Sequence, residues 1–465
     1  MLRRTIVPRV QQTSKALIAA ETKFGAHNYS PLPVVFARAR GVTVANPEGQ
    51  VYMDFLSGYS AVNQGHLHPR LVQAVVKQLS RCTLSSRAFY NDKLSIFSEY
   101  VTKLFGYDKV LPMNTGAEGV ETALKLARKW GYKKKKIPAN QAKIVCCTGN
   151  FHGRTFGAIA MSNDPSSYEN YGPHLPNILR VPYGDAAALQ AVFEAHGKTI
   201  AGFIFEPIQG EAGVCIPPAG YIKKARALCT KHNILMIDDE VQAGLGRTGK
   251  MLAVEHEGVR PDVVILAKAL GGGIMPVSCV LADAPIMDVI EPGTHGSTFG
   301  GNPVAAVLAV EALKVLKDEQ LLENATKLGK LFGSFLDAMK AKYPFIAAVR
   351  CRGLFAAIEF HPAFLNGHGG YRMMHVMKEL RVLCKVTHET TIRLTPPLVI
   401  KKDALEAAMR VIDRALWQLQ FEHLSANINS AKPAAPATPA GASKKKAAVK
   451  KAVAAKKAKV APKKK

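Results

Sequence analysis

The sequence predicts an α/β protein, with a mainly parallel sheet in a large domain and a smaller α+β domain beside it. Between about Ser60 and Asn302, short apolar runs alternate with helical patterns, which is typical of a parallel sheet covered on both faces. After Pro303, a long helical region precedes two further strand-like stretches. With 465 residues, 48% of them hydrophobic, the chain is long enough for roughly two or three domains with a sizeable core.

The elements follow in chain order. Residues 31–55 alternate short apolar runs with Gly and Pro turns and predict a small meander of strands. The clearest strands are "AKIVCCTG", "AGFIFEP", "NILMIDD" and "DVVILAK", and the clearest helices are "GVETALKLARKWGY" and "YIKKARALCTKH". The lysine run Lys133–Lys136 predicts a solvated loop after a helix. We assign 13–59 to the N-terminal part of the small domain, 60–302 to the large domain and 303–424 to the C-terminal part of the small domain.

Both ends of the chain are basic. The start, "MLRRTIVPRVQQTSKALIAA", has several arginines and no acid, which is typical of a mitochondrial presequence; an ordinary basic amphipathic helix is the alternative. We expect residues 1–12 to be a targeting segment and the protein to reside in the mitochondrial matrix, with the cytoplasm as the alternative. Residues 425–465 contain twelve lysines and no acid, and they predict a disordered Lys/Ala/Pro-rich tail. Such a tail is either simply solvated or binds polyanions weakly and without specificity.

Several functional classes are disfavoured. The longest apolar stretch, Val263–Ala282, is interrupted by Lys268, three glycines and Pro276, so we expect no membrane-spanning helix. The stretch "GLGRTGK" nearly fits a phosphate loop, but Met251 stands where such a loop needs Ser or Thr. The eight cysteines form no CxxC pair, and the histidines of "HLHP" have no second ligand pair at a useful spacing. We therefore expect no nucleotide site and no metal.

Two candidate residues stand at the ends of buried strands. In "VVILAKALGGG", Lys268 follows five apolar residues directly before a glycine-rich bend. It is either a solvated loop lysine or a desolvated amine with a covalent role. Asp239 ends the strand "ILMID", and a carboxylate at the carboxyl end of a strand in an α/β sheet is well placed for a ligand. A turn or helix cap is the alternative role for this acid.

Further signals fit a phosphate-bearing aromatic aldehyde that reacts with amines. "NTGAEGVETALKLARKW" opens a helix with Gly116 and Ala117, whose free N–H groups suit a phosphate. "NFHGRT" offers Phe151 for stacking on a ring and Arg154 for clamping a carboxylate. "HGSTFGGNP" offers Thr298 as a hydroxyl donor in a glycine-rich loop. Each signal is weak alone, and together they match what such a cofactor requires.

The chain resembles the class III aminotransferases of pyridoxal-phosphate fold type I. The similarity covers about residues 13–420. The stretches that show it are "FGAHNYSPLPVVF", "SGYSAVNQGHLHPR", "MNTGAEGVETALKLARKWGY", "FEPIQGEAGV", "DEVQAGLGRTGK", "LAKALGGG", "HGSTFGGNP" and "IRLTPPLVI". Two departures are His152, where some relatives have tryptophan, and Gly58 in "SGYSAV"; neither removes a named functional group.

The resemblance implies pyridoxal 5′-phosphate as the cofactor of the large domain, and it implies a role for each matching residue. Lys268 would be the Schiff-base lysine, and Asp239 would pair with the pyridine nitrogen. The remaining cofactor residues would be Gln242 at the ring oxygen, Phe151 against the ring, Gly116 and Ala117 at the phosphate, and Thr298 reaching the phosphate of a neighbouring subunit. The resemblance therefore implies a homodimer or a larger homo-oligomer with shared active sites.

The resemblance also implies the reaction, a ping-pong transfer of the terminal amine of L-ornithine to 2-oxoglutarate in arginine, ornithine and proline metabolism. We hypothesise that Glu211 neutralises Arg393 while ornithine is bound, so that Tyr29 and Arg154 hold the distant α-carboxylate and Tyr59 lines the pocket. When 2-oxoglutarate enters, Glu211 moves away, Arg393 takes the α-carboxylate and Arg154 takes the γ-carboxylate. The alternatives are an inert Glu211–Arg393 ion pair, another amine donor (4-aminobutyrate, acetylornithine or the lysine ε-amine) and an aminomutase that needs no oxo-acid acceptor.

Overall fold

A computed structural model of the protein describes residues 13–431, with side chains described through Ser425. The predicted targeting segment 1–12 and residues 432–465 of the predicted tail lie outside this range. The described residues up to Leu419 belong to one compact unit, and those from Gln420 onward belong to a second, of which only the helical stretch ending at Ala431 is described. Within the described range, no helix combines the length and the apolar character needed to cross a membrane.

Fifteen strands within the described residues form three sheets. The strands are β1 (Arg38–Arg40), β2 (Thr43–Ala45), β3 (Val51–Asp54), β4 (Lys109–Met113), β5 (Lys143–Cys147), β6 (Ile178–Val181), β7 (Ile200–Phe205), β8 (Leu235–Asp239), β9 (Val263–Leu266), β10 (Ser278–Ala282), β11 (Ile346–Arg352), β12 (Phe355–Phe360), β13 (Val382–Leu383), β14 (Lys385–Thr387) and β15 (Thr391–Leu394). The large sheet has the order β4-β10-β9-β8-β7-β5-β6, and the smaller sheets have the orders β1-β2-β3-β13 and β11-β12-β15-β14.

The described residues also form helices. They are α1 (Ser14–Phe24), α2 (Ser57–Ser60), α3 (Pro69–Leu79), α4 (Leu94–Phe105), α5 (Gly116–Lys133), α6 (Phe156–Met161), α7 (Pro165–Tyr168), α8 (Ala186–His196), α9 (Tyr221–Lys231), α10 (Ala284–Met287), α11 (Pro303–Asp318), α12 (Leu321–Lys342), α13 (Gly369–Glu379) and α14 (Lys402–Ala431). Short 3₁₀ turns occur at Ala253–Glu257, Lys268–Gly271 and Phe364–Gly367.

The large sheet is mainly parallel, as the alternation of strands and helices predicted. β5, β6, β7, β8 and β9 pair in parallel, and β10 runs antiparallel to both of its neighbours, β4 and β9. All strands of this sheet lie within residues 60–302, whereas the strands of both smaller sheets lie outside that range. The division into a large domain (60–302) and a small domain (13–59 and 303–424) stays a prediction.

Helix α5 packs closely against the large sheet through small residues such as Gly119. A Cβ atom added at Gly119 would lie 2.8 Å from Ile265 Cγ2 of β9, so only glycine allows this approach. At the start of α5, the Thr115 side chain accepts the Glu118 N–H, and the Glu118 carboxylate accepts the Thr115 N–H in return. This capping box fixes the first turn of α5, which lies at the candidate site described below.

The structure corrects two predictions, one for the run Lys133–Lys136 and one for the start of the tail. The run Lys133–Lys136 is not simply solvated, because Lys135 Nζ donates to the carbonyl oxygens of Gly197, Ile200 and His232 at 2.8, 2.8 and 3.0 Å. Burial lowers the pKa of Lys135 to about 8. The carbonyls of three chain segments converge there and need a donor, which the sequence pattern does not reveal.

The second correction concerns where the tail begins. Helix α14 extends to Ala431 and so includes the first residues of the tail that we expected to start at Ser425. The stretch "SANINSA" contains no proline and no glycine, and the first proline after it is Pro433. The low-complexity composition that argues against helix therefore begins only after the helix has ended.

Candidate active site

Lys268 lies at the edge of the large sheet where the parallel strands end. It follows β9 and begins the turn Lys268–Gly271, with a φ of +44°, a left-handed conformation that is uncommon for a residue other than glycine. Burial lowers the pKa of its ammonium group, although nearby carboxylates such as Glu211 and Asp239 act in the opposite direction. Lys268 is therefore a partly desolvated amine with acids close by.

Asp239 is the last residue of β8, the strand beside β9, and it is only 4% exposed. Asp239 pairs in register with Ile265, so Asp239 and Lys268 emerge at the same edge of the sheet. One carboxylate oxygen, Oδ1, accepts the Val241 N–H at 3.1 Å. The other, Oδ2, lies 2.7 Å from His152 Nδ1, which donates to it. Because two donors bind the Asp239 carboxylate, its orientation is fixed.

Sequence reasoning missed two groups beside Asp239. His152 is fully buried, and its pKa is raised because the bond to Asp239 outweighs the opposing effect of burial. Glu206 directly follows β7 and accepts the Phe151 N–H at 2.9 Å. Burial raises the pKa of Glu206 to about 7. Glu206 gave the same signal as Asp239, a carboxylate after an apolar strand, and so it was available from the sequence.

The first turn of α5 has unused backbone donors. Glu118 N–H is bonded to Thr115 Oγ1 and Gly119 N–H to the Thr115 carbonyl, whereas the N–H groups of Gly116 and Ala117 precede the first intrahelical bond. Gly153 packs against this turn with a φ of +122°, and a Cβ atom there would lie 2.9 Å from Ala117 Cβ. The segment after Phe151 is thus held close to donors suited to a phosphate.

Thr298 is exposed in the loop between α10 and α11. Its neighbour Ser297 accepts a bond of 2.8 Å from the side chain of Asn114, which precedes α5. The loop is therefore fixed beside the first turn of α5, and the Thr298 hydroxyl is left at the surface. Whether it acts on a neighbouring subunit stays a prediction.

Glu211, Gln242 and Arg393 form one hydrogen-bonded cluster. Arg393 Nη1 donates to Glu211 Oε1 at 2.6 Å and to Gln242 Oε1 at 3.2 Å. Gln242 Nε2 donates to Glu211 Oε1 at 3.0 Å. The pKa of Glu211 is lowered because Arg393 and Gln242 outweigh the effect of burial. Gln242, expected at a ring oxygen, is used here to bridge the acid and the guanidinium.

Tyr59 packs against this cluster. Its ring lies 5.0 Å from the guanidinium carbon of Arg393, and burial is the main cause that raises its pKa. Tyr59 belongs to α2, a four-residue turn in which every φ is positive, between +51° and +67°. The Asp54 carboxylate accepts the N–H groups of Leu56 and Ser57 at 2.8 and 2.9 Å at the start of this turn. Aspartate bonds therefore offset the strain of a left-handed turn that aims Tyr59 at Arg393.

The remaining predicted substrate residues lie in two cavities. Arg154 is exposed, and its guanidinium carbon lies 5.5 Å from the centre of the Phe151 ring. Arg154 lines a cavity of about 560 Å³ together with Phe151 and Glu211. Tyr29 is 77% exposed and shares a cavity of about 450 Å³ with Tyr59. The structure thus brings together Lys268, Asp239 and the Glu211 cluster, and it places Arg154 and Tyr29 at the exposed rims.

Comparison with known proteins gives consistent matches. The model of the aminotransferase class-III family matches residues 24–416. The mitochondrial ornithine aminotransferase of Oryza sativa subsp. japonica is 55% identical over 413 residues, which are 88% of this chain and 87% of that protein. A solved structure of the ornithine aminotransferase of Toxoplasma gondii has a TM-score of 0.86 and 41% identity over 89% of this chain and 96% of that one. The acetylornithine aminotransferase of Elizabethkingia anophelis has a TM-score of 0.80 and 48% identity over 88% and 100% of the two chains. The range 24–416 includes every site residue described above.

Proposed function

The chain belongs to the class III aminotransferases, and from that membership we propose that it moves the terminal amine of L-ornithine to 2-oxoglutarate. The products are glutamate and glutamate 5-semialdehyde, which cyclises to pyrroline-5-carboxylate and so links arginine breakdown to proline formation. Relatives named ornithine aminotransferase that are 50–55% identical over most of the chain support this substrate. The observation on which the proposal chiefly depends is the 2.6 Å pair between Glu211 and Arg393.

The residues present fit pyridoxal 5′-phosphate. A partly desolvated lysine, a buried carboxylate on the neighbouring strand and two unused helix N–H groups meet the demands of its aldehyde, its ring nitrogen and its phosphate. When bound, this cofactor supplies an aldehyde that accepts and returns amino groups and a ring that withdraws electrons from the reacting carbon. Gly116 and Ala117 would bind the phosphate, and Phe151 would cover the ring.

Lys268 and Asp239 have separate tasks in this proposal. Because burial lowers its pKa, Lys268 Nζ is available as a free base that takes a proton from the amine-bearing carbon of the substrate and later returns it. The Asp239 carboxylate keeps the proton on the ring nitrogen, and His152 holds that carboxylate in place. Loss of Lys268 would remove the base that transfers the substrate proton, whereas loss of Asp239 would remove the carboxylate that keeps the ring nitrogen protonated.

The Glu211–Arg393 pair explains how one site serves two substrates. Ornithine must present its δ-amine, and an unpaired arginine near the ring would instead attract the α-carboxylate and select the wrong amine. With Arg393 bonded to Glu211, Tyr29 and Arg154 hold the distant α-carboxylate of ornithine and Tyr59 lines the pocket. For 2-oxoglutarate, Glu211 leaves, Arg393 binds the α-carboxylate and Arg154 binds the γ-carboxylate.

A second copy of the chain would complete the site. Phe89 and Tyr90 are 75% and 97% exposed, and the next residue, Asn91, donates to the Gly301 carbonyl at 3.2 Å. The aromatic loop therefore lies beside the loop that contains Thr298. A homodimer formed over this surface would cover the aromatic side chains and bring Thr298 to the phosphate of the partner. Sedimentation of the full chain would test this, since a monomer at micromolar concentration contradicts it.

The mitochondrial matrix is the proposed location, with the cytoplasm as the alternative. The arginine-rich, acid-free start of the chain supports import, and the relative from Oryza sativa is named mitochondrial, whereas the Toxoplasma gondii protein is named without a compartment. Fusion of residues 1–20 to a fluorescent protein tests this proposal, because a diffuse cytoplasmic signal would contradict it.

Absorption spectra of the purified full chain test cofactor and substrate together. We expect a visible band that bleaches when ornithine is added and returns when 2-oxoglutarate is added. Acetylornithine, 4-aminobutyrate and lysine serve as competing donors, since a structural relative that is 48% identical is named acetylornithine aminotransferase. Faster bleaching by one of these donors than by ornithine would contradict the proposed substrate, and bleaching without an oxo-acid requirement for turnover would indicate an aminomutase.

A further inference from the structure

Two buried acids flank Asp239, and the proposed mechanism uses neither of them. Asp238 is 0% exposed and Glu240 is 1% exposed. Side chains alternate along a strand, so Asp238 of β8 points to the face of the sheet opposite to Asp239. Acids buried this completely are rare unless a partner satisfies their oxygens.

Most of the carboxylate oxygens of Asp238 and Glu240 accept no hydrogen bond from other described residues. Glu240 Oε1 accepts the Val254 N–H at 2.9 Å, whereas Glu240 Oε2 and both oxygens of Asp238 have no donor within the part of the chain that the structure describes. The two side chains lie close enough to hydrogen-bond to each other once one of them is protonated. Burial and the neighbouring acid raise the pKa of Asp238, and burial raises the pKa of Glu240 to about 7.

The groups around Asp238 and Glu240 would not stabilise a second negative charge on this pair. Asp239 on the same strand and Glu255 on the turn Ala253–Glu257 are both acids, and each disfavours further ionisation of the pair. The Tyr107 side chain also faces Asp238, and its hydroxyl donates to the Pro261 carbonyl at 2.9 Å. Arg260, which stacks on the Tyr107 ring, is paired with Asp283. Two carboxylates at this place would repel each other with little compensation.

Glu240 also determines the path of the chain after Asp239. Its N–H donates to the Ile265 carbonyl of β9 at 3.1 Å, and its carbonyl accepts the Gly244 N–H at 3.0 Å. A Cβ atom at Gly244 would lie 3.0 Å from Glu240 Oε2, so the Glu240 side chain packs close to the backbone of Gly244. Displacement of Glu240 would therefore shift the turn that begins at Asp239.

We propose that Asp238 keeps its proton and uses it to donate a hydrogen bond to the Glu240 carboxylate, and that this bond fixes the end of β8 and with it the direction of the Asp239 carboxylate. Asp238 and Glu240 are thus positioning residues for the site. The identity of the cofactor rests on the proposed function, whereas the shared proton does not. At high pH the proton is lost, the two carboxylates repel and the placement of Asp239 loosens.

The sign of the pH effect follows from proton binding. An unfolded Asp or Glu has a pKa of about 4, so unfolding near neutral pH releases the proton that the folded pair retains. Stability should therefore fall as pH rises from about 4 until the folded pair itself ionises. In the Asp238→Asn variant an amide N–H donates to Glu240 without a titrating proton, so this contribution should disappear.

The test is denaturant unfolding of the full chain between pH 5 and pH 7 for wild type, Asp238→Asn and Asp238→Ala, with Glu194→Gln as a control in an exposed acid. The wild-type unfolding constant should rise about tenfold per pH unit relative to Asp238→Asn, and Glu194→Gln should follow the wild type. Equal pH dependence in wild type and Asp238→Asn would overturn the shared proton, even if Asp238→Ala fails to fold.

Cofactor retention tests the positioning role separately. The Kd for pyridoxal phosphate should rise roughly tenfold in Asp238→Ala, which leaves Glu240 without its donor, and should stay within about twofold of wild type in Asp238→Asn. An unchanged Kd in a folded Asp238→Ala variant, or in Glu240→Ala should the first not fold, would overturn this role. A wild-type chain that binds no pyridoxal phosphate would contradict the proposed function and leave the unfolding result valid.

Discussion

Arg393 Nη1 lies 2.6 Å from Glu211 Oε1, and the Arg393 side chain is almost fully buried. Gln242 bonds to both partners, and the single nitrogen Arg393 Nη1 donates to both Glu211 and Gln242. In the proposed function, Glu211 leaves before a substrate carboxylate takes its place on Arg393 Nη1. If Arg393 binds substrate as proposed, its availability depends on the position of Glu211.

Replacing Glu211 with alanine should make the enzyme less selective for the terminal amine. Arg393 would then attract the α-carboxylate of ornithine, and the ratio of kcat/KM for δ-amine over α-amine transfer should fall at least about tenfold. Product analysis with ornithine and with glutamate as donors measures this ratio. Glu194→Ala, which removes an exposed acid, should leave it unchanged, and an unchanged ratio in Glu211→Ala would mean that the ion pair is inert.

Lys268 should be the residue that binds the cofactor covalently. Borohydride reduction of the holoenzyme followed by peptide mapping should place a pyridoxyl group on the peptide that contains Lys268. Lys268→Ala should lose this label and at least roughly 10²–10⁴-fold of its transamination rate, because the amine that moves the proton is absent. Lys250→Ala, at an exposed lysine, should retain both properties. A label on any other lysine in the wild type would refute the assignment.

The His152–Asp239 bond should stabilise the protein more at low pH than at high pH. The folded pKa of His152 is raised, so its contribution is complete below about 6.5 and is lost as pH rises through the folded value. His152→Phe should therefore cost roughly 3 kcal/mol of unfolding free energy at pH 6 and less at pH 9. His361→Phe, at an exposed histidine, should show no such difference. A cost for His152→Phe that is equal at both pH values would argue against a charged pair.

Gly58→Ala should weaken substrate binding through the turn that positions Tyr59. Gly58 has a φ of +55°, and a Cβ atom there meets Val62 Cγ2 only at 3.5 Å, so the cost is conformational and about 1 kcal/mol. Gly258→Ala places the same strain at a φ of +63°, where a Cβ atom has nothing within 4 Å. Both variants should lose similar stability, but only Gly58→Ala should raise the KM for ornithine. Equal KM values in the two variants would show that the turn does not act on Tyr59.

Much of the site was predictable because its groups stand at the ends of regular elements. Lys268 and Asp239 each follow an apolar run, and Gly116 begins a helix with a clear capping pattern. Glu206 follows the apolar strand β7 in the same way and was overlooked, although the same rule would have found it. These signals are local because strand and helix periodicity extend over only a few residues.

Contacts between distant segments were not predictable in the same way. His152 bonds to Asp239, which lies 87 positions further along the chain, and Gln242 bridges Glu211 and Arg393. Lys135 donates hydrogen bonds to carbonyl oxygens of three chain segments. A one-letter pattern such as "KKKK" describes composition, whereas these bonds depend on which chain segments become neighbours.

The sequence by itself therefore determined the α/β class, the strand ends that hold Lys268 and Asp239, and the family to which the chain belongs. Only the tertiary structure decided that Asp238 and Glu240 are buried together, that His152 holds Asp239, and that Gln242 bridges Glu211 and Arg393. The physical reason is that periodicity fixes which face of an element a side chain occupies, while the order of strands in the sheet decides which side chains then meet without water between them.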